Sequence, residues 1–249
     1  MPSLLRRLKG LAAPKPLAPA VLDCAGQSLP LVFRRNASAR RLVLRLNPEG
    51  TAAIVTVPRG VSRAQALDFA ERSAQWLADR LVKRGENIPL RAGSRIPLRG
   101  EDHQIRHIVS PRGTVTVDTL ARMINVPGGE AHLPRRLQDF LKRAAKEELT
   151  AATKRYAAAM GAKFRSITIR DQKSRWGSCT VAGDLNYSWR LILTPPYVLD
   201  YVAAHEVAHL IHLDHSKKFW RLVLTHCHAA PKAKRWLKAH GHNVHRVVM

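Results

Sequence analysis

The segment that most constrains this chain is HEVAHLIHLDH, His205 to His215. It places four histidines, one glutamate and one aspartate in eleven residues. Its first five residues fit the pattern H-E-x-x-H. On an α-helix, residues four apart lie about 40° apart around the axis and about 6 Å apart along it. His205 and His209 therefore project from one face toward a common point. Glu206 is rotated by about 100° and stands to the side of that point. Neutral imidazoles are good ligands for a divalent ion, and a carboxylate beside them can take a proton from water held there. Such a helix must be rigid, and its flanks provide for that. In TPPYVLDYVAAHEVAHL, Thr194 can cap and the prolines suit a first helical turn. Val198, Val202 and Leu210 can face a core.

A third protein ligand is needed if a fourth position is to stay open for water. His212 lies within about 20° of His205 in helical projection, but about 10 Å further along the axis. Three imidazoles strung on one line do not close a tetrahedral site at Zn–N distances near 2 Å. A ligand from off the axis is better placed. Asp214 is a poor residue inside a helix, and Ser216 can cap the next one. His215 then lies on the turn between helices, from which the chain can swing back. The geometry therefore ranks His215 ahead of His212, with Asp214 third. The spacing from His205 to His215 matches the longer zincin pattern H-E-x-x-H-x-x-G-x-x-H. Two departures stand out: His212 replaces the turn glycine, and no methionine occurs between Met160 and Met249.

The rest of the chain reads as α+β. Residues 1–30 read as a flexible lead-in rich in Pro, Ala and Lys. Residues 31–130 read as a β-rich subdomain with one helix. RRLVLRLNPEGTAAIVTVPRG, Arg40 to Gly60, predicts two strands around a turn. The following stretch predicts a helix with Ser62 as its cap. RIPLRG, HQIRHIV, TVTVD and ARMINV return to short strands. Residues 131–249 change character. Arg135 to Met160 is a long amphipathic pattern, KFRSITIRD predicts a strand, and RWGSCT reads as a loop. LNYSWRLIL alternates as a strand, with Leu185, Tyr187, Trp189, Leu191 and Leu193 on one face. Further helices are expected from Ser216 and around PKAKRWLKAHG.

Composition adds one strong constraint. Forty-two Lys and Arg face eighteen Asp and Glu, a formal net charge of +24. That balance favours polyanionic partners, nucleic acid among them, or simply a basic solvated surface. Three scattered cysteines, Cys24, Cys179 and Cys227, make neither a disulfide framework nor a C-x-x-C zinc site, which suits a reducing, cytoplasmic compartment. No apolar run approaches the roughly 20 residues of a membrane span, so no membrane is expected as a partner. RRLKG interrupts any secretory h-region near the start. The sequence assigns no oligomeric state.

KSRWGSC, LNYSWRLILTPPYVLDYVAAHEVAHL and HSKKFW together resemble the YgjP-like metallopeptidase family, and the likeness extends over roughly residues 33 to 240. It implies a zincin-like domain of helices with a three-stranded sheet. It implies one Zn²⁺ held by His205, His209 and His215, with Glu206 as catalytic base, and a protein or peptide substrate. The same histidine spacing occurs in SprT-like proteases that digest proteins crosslinked to DNA. That more distant analogy supports an alternative: a nucleic-acid-associated protein whose zinc is structural or whose proteolysis is DNA-stimulated. In zincins an edge strand beside the metal pairs with substrate backbone, and LNYSWRLIL is the candidate here. Trp176, Trp189, Arg190 and Tyr201 are the candidate substrate-binding residues, with Arg175 beside Trp176. For the aromatic ones a plain packing role competes. Cys179 is expected as a buried thiol. The clusters HCH and HGHNVH offer a weaker second metal site.

Overall fold

The computed structural model describes residues 20–47, 49–110, 112–172 and 175–248. The architecture is mixed α and β, with several small sheets and six α-helices among the described residues. It forms two compact units: residues 20–47 with 51–79, and residues 49–50 with 80–248. The division falls after Asp79 rather than near residue 130, where the change of sequence pattern had put it. The reason is a shared core. Ile96, Leu98, Ile105 and Ile124 from the strands before residue 130 are buried in one apolar cluster with Leu137, Leu141 and Leu149 of the long helix that follows.

The first unit is a four-stranded sheet with a helix on it. Strands β1 (Ala20–Cys24), β2 (Gln27–Arg35), β3 (Val43–Leu46) and β4 (Ala53–Val57) run in the order β1-β2-β4-β3. β1 and the start of β2 occupy residues 20–30, so that part of the expected lead-in is sheet; residues 1–19 lie outside the described residues. β3 and β4 pair antiparallel, as their alternation predicts. The Asn47 side chain closes the connection by accepting from the Thr51 and Ala52 amides. Helix α1 (Arg63–Arg72) starts at Ser62, which forms a reciprocal capping box with Gln65. The helical pattern then hitches at Ser73, and α2 (Ala74–Arg84) continues it.

The second unit carries β5 (Ile88–Pro89), β6 (Arg95–Leu98), β7 (Glu101–Ile108), β8 (Thr116–Asp118) and β9 (Met123–Pro127). The last four form a sheet in the order β6-β7-β9-β8. Helix α3 (Leu133–Met160) follows and ends at Gly161, whose left-handed backbone (φ 67°) is the common helix stop. β10 (Ser166–Arg170), β11 (Gly177–Cys179) and β12 (Asp184–Ser188) make a three-stranded sheet in the order β10-β12-β11. Helix α4 (Pro196–Ala208) packs against α3, and α5 (Lys217–His226) and α6 (Ala230–Val244) pack against α4. Strand β13 (Val247–Val248) closes the chain by pairing with β5.

Two expectations change here. LNYSWRLIL is a strand only through Ser188; Trp189–Leu193 is a 3₁₀ turn with every residue buried. Ser188 caps that turn by accepting from the Arg190 amide. β12 is also the central strand, so both its sides are already paired and it cannot receive a substrate strand. The edges are β10 and β11, and β11 lies in the RWGSC segment expected to be a loop.

Arg190, 5% exposed, is committed inside the fold. Its guanidinium donates to Asp171 and to the carbonyls of Val244 and Val247. It thereby ties the 3₁₀ turn to the C-terminal end of α6. Arg190→Leu strands those acceptors and is expected to cost about 3 kcal/mol, read as a lower urea midpoint. Nearby, the His245 imidazole lies against Trp176. Burial, and then the Arg190 charge, pull its pKa down to about 4 from 6.5. The unfolded chain takes that proton near pH 6.5 while the folded protein refuses it. Stability is therefore full above about pH 6.5 and falls as the pH drops toward 4. His245→Phe is expected to flatten that part of a series of denaturation curves.

Candidate metal centre

The H-E-x-x-H segment is the last turn of α4. Its helix ends at Ala208, with His209 as C-cap. Pro195 stands at the N-cap, and Thr194 does not cap; its hydroxyl donates to the Leu191 carbonyl instead. Val198 and Val202 are buried and Leu210 is partly buried, which fixes the helix in the core. The chain then turns through residues 209–215. Ser216 accepts from the Phe219 amide and starts α5. His215 directly precedes that cap.

The turn brings His215 back to α4. Its Nε2 stands 3.1 Å from Nε2 of His205. One nitrogen each from His205, His209 and His215 lie within 4.8 Å of one another. No other convergent group of three His, Cys, Asp or Glu is found among the described residues, so HCH and HGHNVH gather no such set. His212 does not join the cluster through its ring. Its carbonyl accepts a bond of 3.0 Å from Nδ1 of His209. That bond puts the His209 proton on Nδ1 and leaves Nε2 free as a lone-pair donor. Nδ1 of His205 is buried without a hydrogen-bond partner.

Aromatic rings of α5 hold the imidazoles. Phe219 stacks on His209 with centroids 4.5 Å apart and meets His205 edge-on at 4.9 Å. Trp220 stacks on His215 at 5.7 Å. Sequence reasoning missed both roles, although both residues stand in HSKKFW. Burial, with the neighbouring His209, His215 and Lys234, pulls the His205 pKa down to about 3. The ring is neutral, as a ligand must be.

The three imidazoles fit a zinc ion. A tetrahedral ion with Zn–N bonds near 2.0–2.1 Å needs ligand nitrogens about 3.3 Å apart, close to the spacing between His205 and His215. The site also opens outward, because His215 is exposed while His205 and His209 are half-buried.

Glu206 is 5% exposed and lies against β11. A Cβ added to Gly177 would stand 2.6 Å from both Cγ and Oε1 of Glu206. Glycine is thus required for the carboxylate to lie there. Burial pushes the carboxyl up to about 8, opposed by the charge of Arg175. A divalent cation beside it acts in the opposite sense and favours the ionised form. Gly177 was the further residue missed from sequence, and its signal was a glycine one step after Trp176.

The other candidates fall as follows. Tyr201 is 6% exposed, and its ring meets His205 edge-on at 5.8 Å. Burial, with Glu206, pushes its hydroxyl up to about 12, so it is a neutral phenol beside the site. Trp176 packs on Gly241 of α6 and on His245. Trp176 stays partly exposed, whereas Trp189 is 1% exposed, with the Arg190 guanidinium over its ring, and offers no free surface to substrate. The Cys179 thiol is pushed up to about 11 by burial, Glu206 and Asp184, and donates to the Thr180 carbonyl.

Three convergent imidazoles with a carboxylate at their side, on an α+β scaffold, are the parts of a hydrolytic metal centre. Residues 40–240 match the family model described as YgjP-like, metallopeptidase domain. The chain belongs to the YgjP-like metallopeptidase family. A search of curated proteins found no match, and a search of solved structures found none. No helix among the described residues is long and apolar enough to cross a membrane.

Proposed function

We propose that this protein is a zinc-dependent peptidase of zincin-like build, with His205, His209 and His215 as ligands and Glu206 as general base. The supporting observation is the return of His215 to the α4 histidines, 3.1 Å from His205, from an exposed turn. A structural zinc site is closed by four protein ligands; this cluster has three and faces outward. Three imidazole ligands suit zinc among the common divalent ions.

Bound there, zinc supplies Lewis acidity, which acidifies water and polarises a scissile carbonyl. The protein does the rest. Glu206 takes the proton from the attacking water and passes it to the leaving amine. Gly177 keeps the carboxylate at the height where that transfer can occur. The His212 carbonyl and the rings of Phe219 and Trp220 hold the imidazoles in orientation. β11 offers its free edge to an extended substrate backbone.

Chelator-stripped protein is expected to cleave no peptide in a mixed pool. Turnover, followed by mass spectrometry, should rise with added zinc up to one ion per chain. Cleavage that ignores zinc would sink the reading. A second expectation concerns β11. Gly177→Ala drives the Glu206 carboxylate from its place while leaving the ligands alone. Turnover should fall about 100-fold with zinc content unchanged, since a misplacement near 1 Å carries a penalty of that order.

A further inference from the structure

A lysine stands beside the metal centre on a run of chain rich in cations, and the proposed chemistry does not use it. From His215 to the C-terminus there is no Asp or Glu. Lys217, Lys218 and Arg221 are exposed in α5, which begins directly after His215. From α6, the exposed Lys234 sets its ammonium 3.9 Å from the centre of the Trp220 ring. Trp220 in turn stacks on His215. The Lys234 charge therefore lies within about 10 Å of the His215 ring. An extended peptide advances about 3.3 Å per residue, so that distance is about three residues of substrate.

We infer that the Lys234–Trp220 wall selects peptides carrying an acidic side chain within about three residues of the scissile bond. This rests on the peptidase reading above. Two observations favour an acidic peptide over a nucleic acid. The Trp220 ring has Lys234 over it and His215 stacked on it, so it is no open platform for a base. Tyr197, at the start of α4, is likewise covered, by Lys232 at 4.5 Å. Single-stranded nucleic acid binds through open aromatic faces as well as charge. Here the rings are spent on holding ammonium groups in place, and what remains on offer is fixed positive charge. Lys234 is thus a specificity-determining residue, held in position by its cation–π contact.

The test uses the zinc-loaded full chain and three fluorogenic peptides that share one scissile core, flanked by Glu, Ser or Lys. At low salt the Glu peptide should exceed the Lys peptide about tenfold in kcat/KM. Lys234→Glu should shrink that ratio by about fivefold, and Lys234→Arg should keep it. Lys146→Glu, on α3, changes net charge equally and should leave the ratio in place. An unchanged ratio in Lys234→Glu, or equal shrinkage in Lys146→Glu, overturns the proposal. Fluorescence anisotropy with Glu206→Gln protein separates it from the peptidase reading. If no peptide is cleaved but the Glu peptide binds best and through Lys234, the recognition stands and the peptidase reading falls. Cleavage without preference has the reverse meaning. A short single-stranded DNA that displaces the Glu peptide and binds more tightly through Lys234 assigns the wall to nucleic acid and overturns the proposal.

Discussion

Glu206→Gln is expected to keep a full complement of zinc and to lose peptide turnover by about 10²–10⁴-fold, the usual worth of a general base. The substitution suits the site. Glutamine has the shape of glutamate and fills the same space against Gly177, where no extra atom fits. It accepts no proton, so only the transfer from water is removed. The carboxyl is also buried, at 5% exposure, so no bulk buffer group easily replaces it. Metal analysis and mass-spectrometric cleavage assays on one sample check both halves. Turnover that persists in the glutamine variant would mean that some other group moves the proton.

The second large effect separates two histidines that look alike in the sequence. His215→Ala removes a ring nitrogen that faces His205 at 3.1 Å, and zinc affinity should fall by more than about 100-fold. His212→Ala removes a ring that takes no part in the cluster. What His212 gives the site is its carbonyl, which holds Nδ1 of His209, and alanine has that carbonyl too. Its zinc affinity should stay within about threefold of the parent, since the orienting bond is kept. A competitive titration against a chromogenic chelator reads both. Loss of zinc in His212→Ala with retention in His215→Ala would reverse the assignment.

Much of this centre is legible in the sequence because it is local. The spacing of His205 and His209 on one helical face follows from helix geometry. So does the ranking of His215 ahead of His212, and the structure adds that α4 stops at Ala208, before His212 could lie on it. Ser62 and Ser216 cap where their side-chain chemistry says they should. Non-local features were hidden. LNYSWRLIL alternates well enough to look like one strand, yet a Ser188 cap breaks it into strand and 3₁₀ turn. Trp189 and Arg190 read as site residues because they stand in LNYSWRLIL, the candidate edge strand beside the metal. Arg190 instead spends its donors on Asp171 and on carbonyls more than fifty residues further on, a partnership that no local pattern reveals. The division after Asp79 is hidden in the sequence for a similar reason. β6–β9 change the sequence pattern but share the core of α3.

Gly177 shows the same limit from the other side. Its role depends on a helix that follows it by some twenty residues of sheet and turn, and only the fold sets that helix against β11. RWGSC and HEVAH are thus two halves of one site. The first shapes the resting place of the carboxylate, and the second supplies the carboxylate and two of the imidazoles.

The proposed three-histidine centre leaves one zinc position open to solvent. Zinc K-edge absorption on the full chain, loaded with one equivalent of zinc, tests it most directly. Three imidazole nitrogens are expected at about 2.0–2.1 Å, with no sulfur, and one imidazole is expected to be lost in His215→Ala. A thiolate at about 2.3 Å, or a fourth imidazole, would describe a closed structural site and contradict it.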